Sequence, residues 1–227
     1  MARKKKKRVK FKVKNIIILF IICSFIGLMI YCVGMMPIDN IYINGNEIIT
    51  DEEIMEMVDI DEYPSFVLAN RFEMKKILLN NDYISDVVIK KKIGNVLEFE
   101  IHEYKVIAND INNRILLSSG KVLDNIYGIC DLPLLLNDIS DSDVYKLFVN
   151  KMTKLDRSIF RQISEIEYSP VPVDKERFIF YMNDGNLVHV TLTKLEKMNK
   201  YDKIKDKMLN KKGIIYLDSG DYIEVLN

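Results

Sequence analysis

Hydrophobic and polar positions divide this 227-residue chain into three unequal stretches. Residues 16–36, IIILFIICSFIGLMIYCVGMM, carry no charge in 21 positions. At 1.5 Å per residue that is about 31 Å of helix, which matches a hydrocarbon core of about 30 Å. Twelve of the 21 are Ile, Leu, Phe or Val, and together they favour insertion by roughly 4–7 kcal/mol. A cleaved signal would have an apolar region of only about 7–15 residues, ending in small residues. Here the run leaves through Val33-Gly34-Met35-Met36-Pro37. The pattern predicts an uncleaved transmembrane helix over residues 15–36, carried by side chains such as Ile16, Phe20, Phe25, Ile30 and Val33.

The period then changes. Ile41 and Ile43 alternate with polar neighbours and meet a turn at Asn44-Gly45-Asn46. Thr50 and Glu53 have the spacing of a capping box, which predicts a short helix with Ile54, Met57 and Val58 on one face. After a loop through Tyr63-Pro64-Ser65, Asn70 and Glu73 predict a second cap, and Ile77 and Leu78 continue that helix. Val87 and Ile89 lead a strand into a Gly94-Asn95 turn; Leu97, Phe99 and Ile101 alternate with Glu98, Glu100 and His102 on the return. Lys90, Lys91 and Lys92 face those glutamates across the hairpin, where each opposite-charge pair contributes roughly 0.2–1 kcal/mol. The order over residues 37–104 is β-α-α-β-β.

Residues 105–227 read as a mostly strand-forming module. Short strands are predicted at Val106–Ile111, Ile115–Ser118 and Val122–Leu123, and Cys130–Asn137 reads as a buried apolar stretch. Val144, Leu147, Phe148, Met152 and Leu155 have helical spacing. Ile163–Tyr168 is a strand, and Phe178–Asn183 and Leu187–Leu192 flank the hairpin signal Asp184-Gly185. Thr193 with Glu196 reads as a third capping box, opening a helix to about Asn210. A last hairpin joins Ile214–Asp218 to Asp221–Val225 around Ser219-Gly220. The whole is an α+β protein: basic tail 1–14, transmembrane helix 15–36, a β-α-α-β-β domain at 37–104 and a mostly antiparallel β domain with flanking helices at 105–227.

Charge adds orientation. The chain holds 33 basic and 33 acidic groups, but nine of the basic ones lie in residues 1–14, including Arg3, Lys4, Lys5, Lys6, Lys7 and Arg8. The remainder has 24 basic against 33 acidic groups, a net of −9, which argues against a nucleic-acid binder. After the anchor no cation occurs before Arg71. The positive-inside bias places residues 1–14 in the cytoplasm, gripping anionic lipid, and the rest outside. Outside the anchor Cys130 is the lone thiol, so the exterior part folds without an intrachain disulfide.

Catalytic chemistry is thin. His102 and His189 are the two histidines, and neither belongs to an H-E-x-x-H helix. There is no G-x-S-x-G, Walker loop or G-x-G-x-x-G, and one exterior cysteine cannot build a zinc site. Cys130, before Leu132-Pro133-Leu134-Leu135, reads as a small buried hydrophobe rather than a nucleophile. Tyr168, Phe180 and Tyr181 read as core aromatics. The expectation is a non-enzymatic protein without cofactor or metal. The alternatives are a membrane-anchored cell-wall enzyme and an envelope sensor or regulator. The chain's end is more informative, because strand propensity runs through Tyr222–Val225. The outer edge of such a strand is either open to a partner strand, or paired within the sheet and blunted by Asp221 and Glu224.

In this order the features resemble the FtsQ/DivIB family of bacterial cell-division proteins. The resemblance is carried by Ile41-Tyr42-Ile43-Asn44-Gly45-Asn46 with the Thr50-x-x-Glu53 helix, which is similar to the start of a POTRA domain. It continues in the exit Ile101-His102-Glu103-Tyr104-Lys105, the Leu132-Pro133 run and the terminal KKGIIYLDSGDYIEV. The family implies a divisome scaffold at the septum that catalyses no reaction. It would bind FtsL and DivIC (the FtsB counterpart) outside the membrane, alongside other divisome components, and help control septal peptidoglycan synthesis. The family's partner site includes the last strand of the β domain. Carried onto this chain, it implies Leu217, Tyr222, Ile223 and Val225 with the turn Ser219-Gly220, and cations on the partner opposite Asp221 and Glu224. The short tail, and the lack of the C-terminal extension many relatives have, mean that no role of those segments is carried over.

Overall fold

The computed structural model describes residues 13–209 and 211–226. The topology residues Arg3, Lys4, Lys5, Lys6, Lys7 and Arg8 lie outside them. Helix α1, Val13–Gly34, is apolar on all sides and buries none of its residues. A helix apolar all round with nothing packed on it is stable only in an apolar solvent. It is the one helix among the described residues long and apolar enough to cross a membrane.

Beyond α1 the chain divides into compact units between His102 and Glu103. The first has β1 (Asn40–Asn44), α2 (Asp51–Met57), α3 (Arg71–Leu78), β2 (Ile84–Lys92) and β3 (Val96–Glu103). Its sheet order is β1-β3-β2, with β1 parallel to β3. The reciprocal capping box forms: the Thr50 N–H donates to Glu53 Oε2 (3.0 Å), and the Glu53 N–H donates to Thr50 Oγ1 (3.2 Å). At α3 only half of the expected signal is used, because Asn70 caps the Phe72 N–H instead of pairing with Glu73. Ile54, Leu78, Leu97, Phe99 and Ile101 are fully buried between the helices and the sheet, each worth roughly 1.5–3 kcal/mol of transfer. Gly45 is required after β1: its φ is +87°, and a Cβ there would strike the Ile101 carbonyl. In the lysine–glutamate hairpin Lys90 pairs Glu100 at 3.1 Å and Lys92 pairs Glu98 at 2.7 Å, while Lys91, on the opposite face, turns to the Phe66 carbonyl instead.

The second unit is one nine-stranded sheet with helices. Its strands are β4 (Val106–Asp110), β5 (Arg114–Leu117), β6 (Val122–Asp124), β7 (Leu134–Leu135), β8 (Ile163–Tyr168), β9 (Arg177–Met182), β10 (Leu187–Thr191), β11 (Gly213–Tyr216) and β12 (Tyr222–Val225). They lie in the order β12-β11-β10-β9-β8-β7-β4-β5-β6. Most neighbours are antiparallel, but β10–β11, β4–β7 and β7–β8 are parallel. A parallel pair needs a crossover of about a dozen residues or more, and residues 192–212 supply it for β10–β11. Helix α4 (Ser142–Met152) is capped by Asp141, whose carboxylate accepts from Asp143 and Val144, and Arg157–Phe160 forms α5. Phe148 of α4 stacks on Phe178 of β9 at 5.0 Å in the core.

Two expectations fail here. The Thr193–Glu196 capping box does not form. Leu192–Lys200 is instead a 3₁₀ segment running into α6, Tyr201–Lys207. Leu192, Leu195, Met198 and Tyr201 are all buried. They recur every third residue, the spacing that shares a face at 3.0 residues per turn rather than 3.6. Cys130 is exposed, not a buried hydrophobe. Positive φ at Gly128 and Asp131 bends the chain on either side of it, and only Leu134–Leu135 enters the sheet.

Candidate functional site

β12 closes one end of the sheet, with β11 as its sole strand neighbour among the described residues. The register pairs Gly213 with Val225, Ile214 with Glu224, Ile215 with Ile223 and Tyr216 with Tyr222. The Leu226 N–H donates to the Lys212 carbonyl (2.9 Å). Antiparallel pairs alternate between bonded and non-bonded, so Tyr222 and Glu224 bond inward to β11. The N–H and C=O groups of Ile223 and Val225 therefore point out of the sheet. These are the groups an added strand uses.

Side chains on the two faces of β12 differ. Ile223 and Val225 extend the core face past the buried Ile215, and both are partly uncovered. On the other face Tyr222 stacks on Tyr216 at 4.4 Å, and Tyr216 meets His189 edge-on at 4.9 Å. The Tyr216 hydroxyl donates to Glu224 (3.2 Å). The turn is pinned from inside: Arg177 Nε donates to Asp218 Oδ2 (2.9 Å), and Arg177 Nη2 lies 2.5 Å from His189 Nδ1. Burial, then the Arg177 charge, hold the His189 imidazole below its usual 6.5. Burial opposes the Asp218 carboxylate, but the Arg177 and Ser219 hydrogen bonds outweigh it and keep its pKa below 3.8.

A second network fixes where β11 begins. The Gly213 N–H donates to the side-chain oxygen of buried Asn186 (2.9 Å), and Asn186 Nδ2 donates to Tyr201 (2.9 Å). The Tyr201 hydroxyl in turn donates to Asp184 (2.9 Å), which Lys205 pairs at 3.0 Å. Burial pushes the Tyr201 phenol well above its ordinary value. Asn186 reaches Tyr201 and Gly213 across 15 and 27 positions, and of this network local pattern marks Asp184-Gly185, as a turn.

Ser219, Gly220, Asp221, Tyr222, Ile223, Glu224 and Val225 are exposed together, whereas Leu217 is 4% exposed and belongs to the core. Leu217 leaves the proposed surface because its N–H bonds the His189 carbonyl (2.7 Å), continuing the β11 register inward. Asp221 needs no cation from a partner, since Lys197 pairs it from within. The thiol of Cys130 contacts the Gly128 carbonyl and His189 contacts Arg177, so they form no nucleophile–base pair. Among the described residues no group of three His, Cys, Asp or Glu could hold a metal. Ile16, Phe20, Phe25, Ile30 and Val33 all lie exposed on α1.

Comparison with known proteins adds the following. A family model described as an FtsQ-type POTRA domain matches residues 36–104. The cell division protein DivIB of Bacillus subtilis is 30% identical over 229 residues, covering 96% of this chain and 87% of the relative. DivIB of Geobacillus kaustophilus is 27% identical, covering 88% and 81%. A solved structure of the major extracytoplasmic domain of the trans isomer of DivIB from Geobacillus stearothermophilus has 26% identity and a TM-score of 0.39. It covers 45% of this chain and 92% of its own.

Proposed function

The chain belongs to the DivIB family of cell division proteins, and from that membership we propose that it is a membrane-anchored, non-enzymatic divisome scaffold. In this reading α1 spans the membrane with the basic tail in the cytoplasm, and both folded units lie outside, at the septum. β12 receives a strand from FtsL-like and DivIC-like bitopic proteins, and through them the protein helps control septal peptidoglycan synthesis.

The observation that carries the partner site is the outward-facing pair Ile223 and Val225. Their backbone groups are free of β11, and their side chains continue the core face. An incoming strand would pair with the first and cover the second. The test is capture of the full chain, in detergent or nanodiscs, by FtsL-type and DivIC-type ectodomains. Ile223→Pro deletes one outward N–H without touching a bond to β11. Capture should be lost while the thermal transition stays; unchanged capture removes strand addition at β12.

A further inference from the structure

Three segments of the first unit converge where α1 ends. The Phe66 N–H donates to the Met36 carbonyl (2.9 Å), the Ile38 N–H donates to the Pro64 carbonyl (3.0 Å), and the Ser65 hydroxyl donates to the Gly34 carbonyl. Pro37 and Ser65 form an isolated bridge. The β2–β3 turn is tied to the same place, because the Asp39 N–H donates to the Asn95 carbonyl (3.0 Å). Lys91 closes the group: its ammonium donates to the Phe66 carbonyl and lies 4.8 Å over the Phe66 ring. The loop of residues 63–70, leading into the first turn of α3, and the tip of the hairpin are therefore tied to the end of the apolar helix.

The most exposed large apolar side chains of the unit lie on these tied segments and next to them: Leu68 is 76% exposed, Phe72 80% and Ile93 completely. Lys91, two residues before Ile93, brings the hairpin to the loop through the Phe66 and Val67 carbonyls. Single exposed hydrophobes are ordinary, but several large ones gathered at one end mark an interaction surface. Between Tyr63 and Phe72 there is no acid. Arg71 lies over the Phe72 ring at 5.9 Å, and Lys91 is held by main-chain carbonyls rather than a carboxylate. The acids bordering these segments are Asp39, Glu62, Glu73 and Glu98, and Lys92 neutralises the last. Large apolar side chains flanked by cations are the composition of a segment lying in a bilayer's interface.

We propose that Leu68, Phe72 and Ile93 insert into the headgroup region of the bilayer that α1 spans, with Arg71 and Lys91 against anionic lipid. The occupant follows from continuity: hydrogen bonds join this patch to Gly34 and Met36, the last turn of the spanning segment. The docking rests on reading α1 as a membrane anchor. It makes anchor and first unit one body against the membrane, with the β1–β3–β2 sheet held by contacts at its membrane end as well as by a tether.

The chain has no tryptophan, so single substitutions report their own depth. Full-length Phe72→Trp, Leu68→Trp, Phe20→Trp and His102→Trp would each be placed in nanodiscs of phosphatidylglycerol and phosphatidylcholine carrying brominated acyl chains. His102 is about 20 Å along β3 from the hairpin tip and exposed. Phe72→Trp and Leu68→Trp should emit at shorter wavelength and lose emission to bromines near the headgroups, at the roughly 5–10 Å depth of an interfacial segment. Phe20→Trp, about 6 Å inside the hydrocarbon, should lose emission to bromines partway down the acyl chains, and His102→Trp should be unchanged. Water-like emission from Phe72→Trp and Leu68→Trp beside a quenched Phe20→Trp overturns the docking and leaves the anchor. Blue-shifted but unquenched emission also overturns it, because protein then covers the patch. An unquenched Phe20→Trp overturns the anchor reading and the docking with it.

Discussion

At one end of the nine-stranded sheet β6 runs for three residues, Val122–Asp124; at the other β12 runs for four, Tyr222–Val225. Both strands have a single neighbour among the described residues and leave backbone groups pointing outward. β6 follows Lys121 and ends on Asp124, and the chain leaves it for a closed turn in which Asn125 clasps both the N–H and the carbonyl of Ile129 (2.8 and 3.0 Å). β12 instead carries the core face outward through Ile223 and Val225 and stacks its tyrosine on Tyr216. A short, charged strand that quickly leaves the sheet is the usual protection of an edge. An edge through which the apolar face continues is left for something else to cover.

The largest expected effect comes from unpinning the β12 end. Asp218→Asn gives up the charge-assisted bond to Arg177, two largely buried side chains, and should cost about 1.5–3 kcal/mol in urea unfolding at neutral pH. The same pair sets an acid limit. Because folding holds the Asp218 carboxyl below 3.8, its contribution is full above that pH and fades as pH falls through the lower folded value; Asp218→Asn should flatten that part of the curve. His189 acts at milder acidity. Its folded pKa lies below 6.5, so the unfolded chain takes up the proton first, and stability drops as pH falls from 6.5 toward the folded value. His189→Gln should flatten that window alone.

Gly213→Ala comes next. A Cβ there would strike the Glu224 carbonyl and lie 2.8 Å from Met208 Cε, so β12 must move at a cost of about 1–3 kcal/mol. Capture of FtsL-type and DivIC-type ectodomains should weaken with it, and full capture would show that the strand's position does not matter. Ile223→Pro removes a partly covered side chain but no bond to β11, so it should cost less than Gly213→Ala yet abolish capture. The smallest effect belongs to the other edge: Val122→Pro on β6 should leave capture as it was, and a loss there would erase the contrast between the edges.

What the sequence revealed was local. The capping box at Thr50, the lysine–glutamate hairpin and the apolar run of α1 depend on neighbours within a few residues, and each appears in the structure. The 3₁₀ segment was also written locally: the three-residue period of buried Leu192, Leu195, Met198 and Tyr201 overrides the helix-start signal of Thr193-x-x-Glu196. The family resemblance places Leu217 on the partner surface, whereas its two-residue spacing from Ile215 puts it on the core face, where it is buried. Arg177 with His189 and Asp218, Lys197 with Asp221, and Asn186 with Tyr201 and Gly213 join residues 12 to 41 positions apart. Such pairs follow from strand order, which pattern does not specify. The parallel β10–β11 pair was within reach, since a helical crossover between two strands implies it.

Amide hydrogen exchange along both edges, with and without the FtsL-type and DivIC-type ectodomains, tests strand addition most directly. Bound partner should slow exchange at Ile223 and Val225, whose N–H groups face outward, and leave Val122 and Asp124 unchanged. Unaltered exchange at Ile223 and Val225 in a complex that demonstrably forms, or protection at β6 instead, would contradict it.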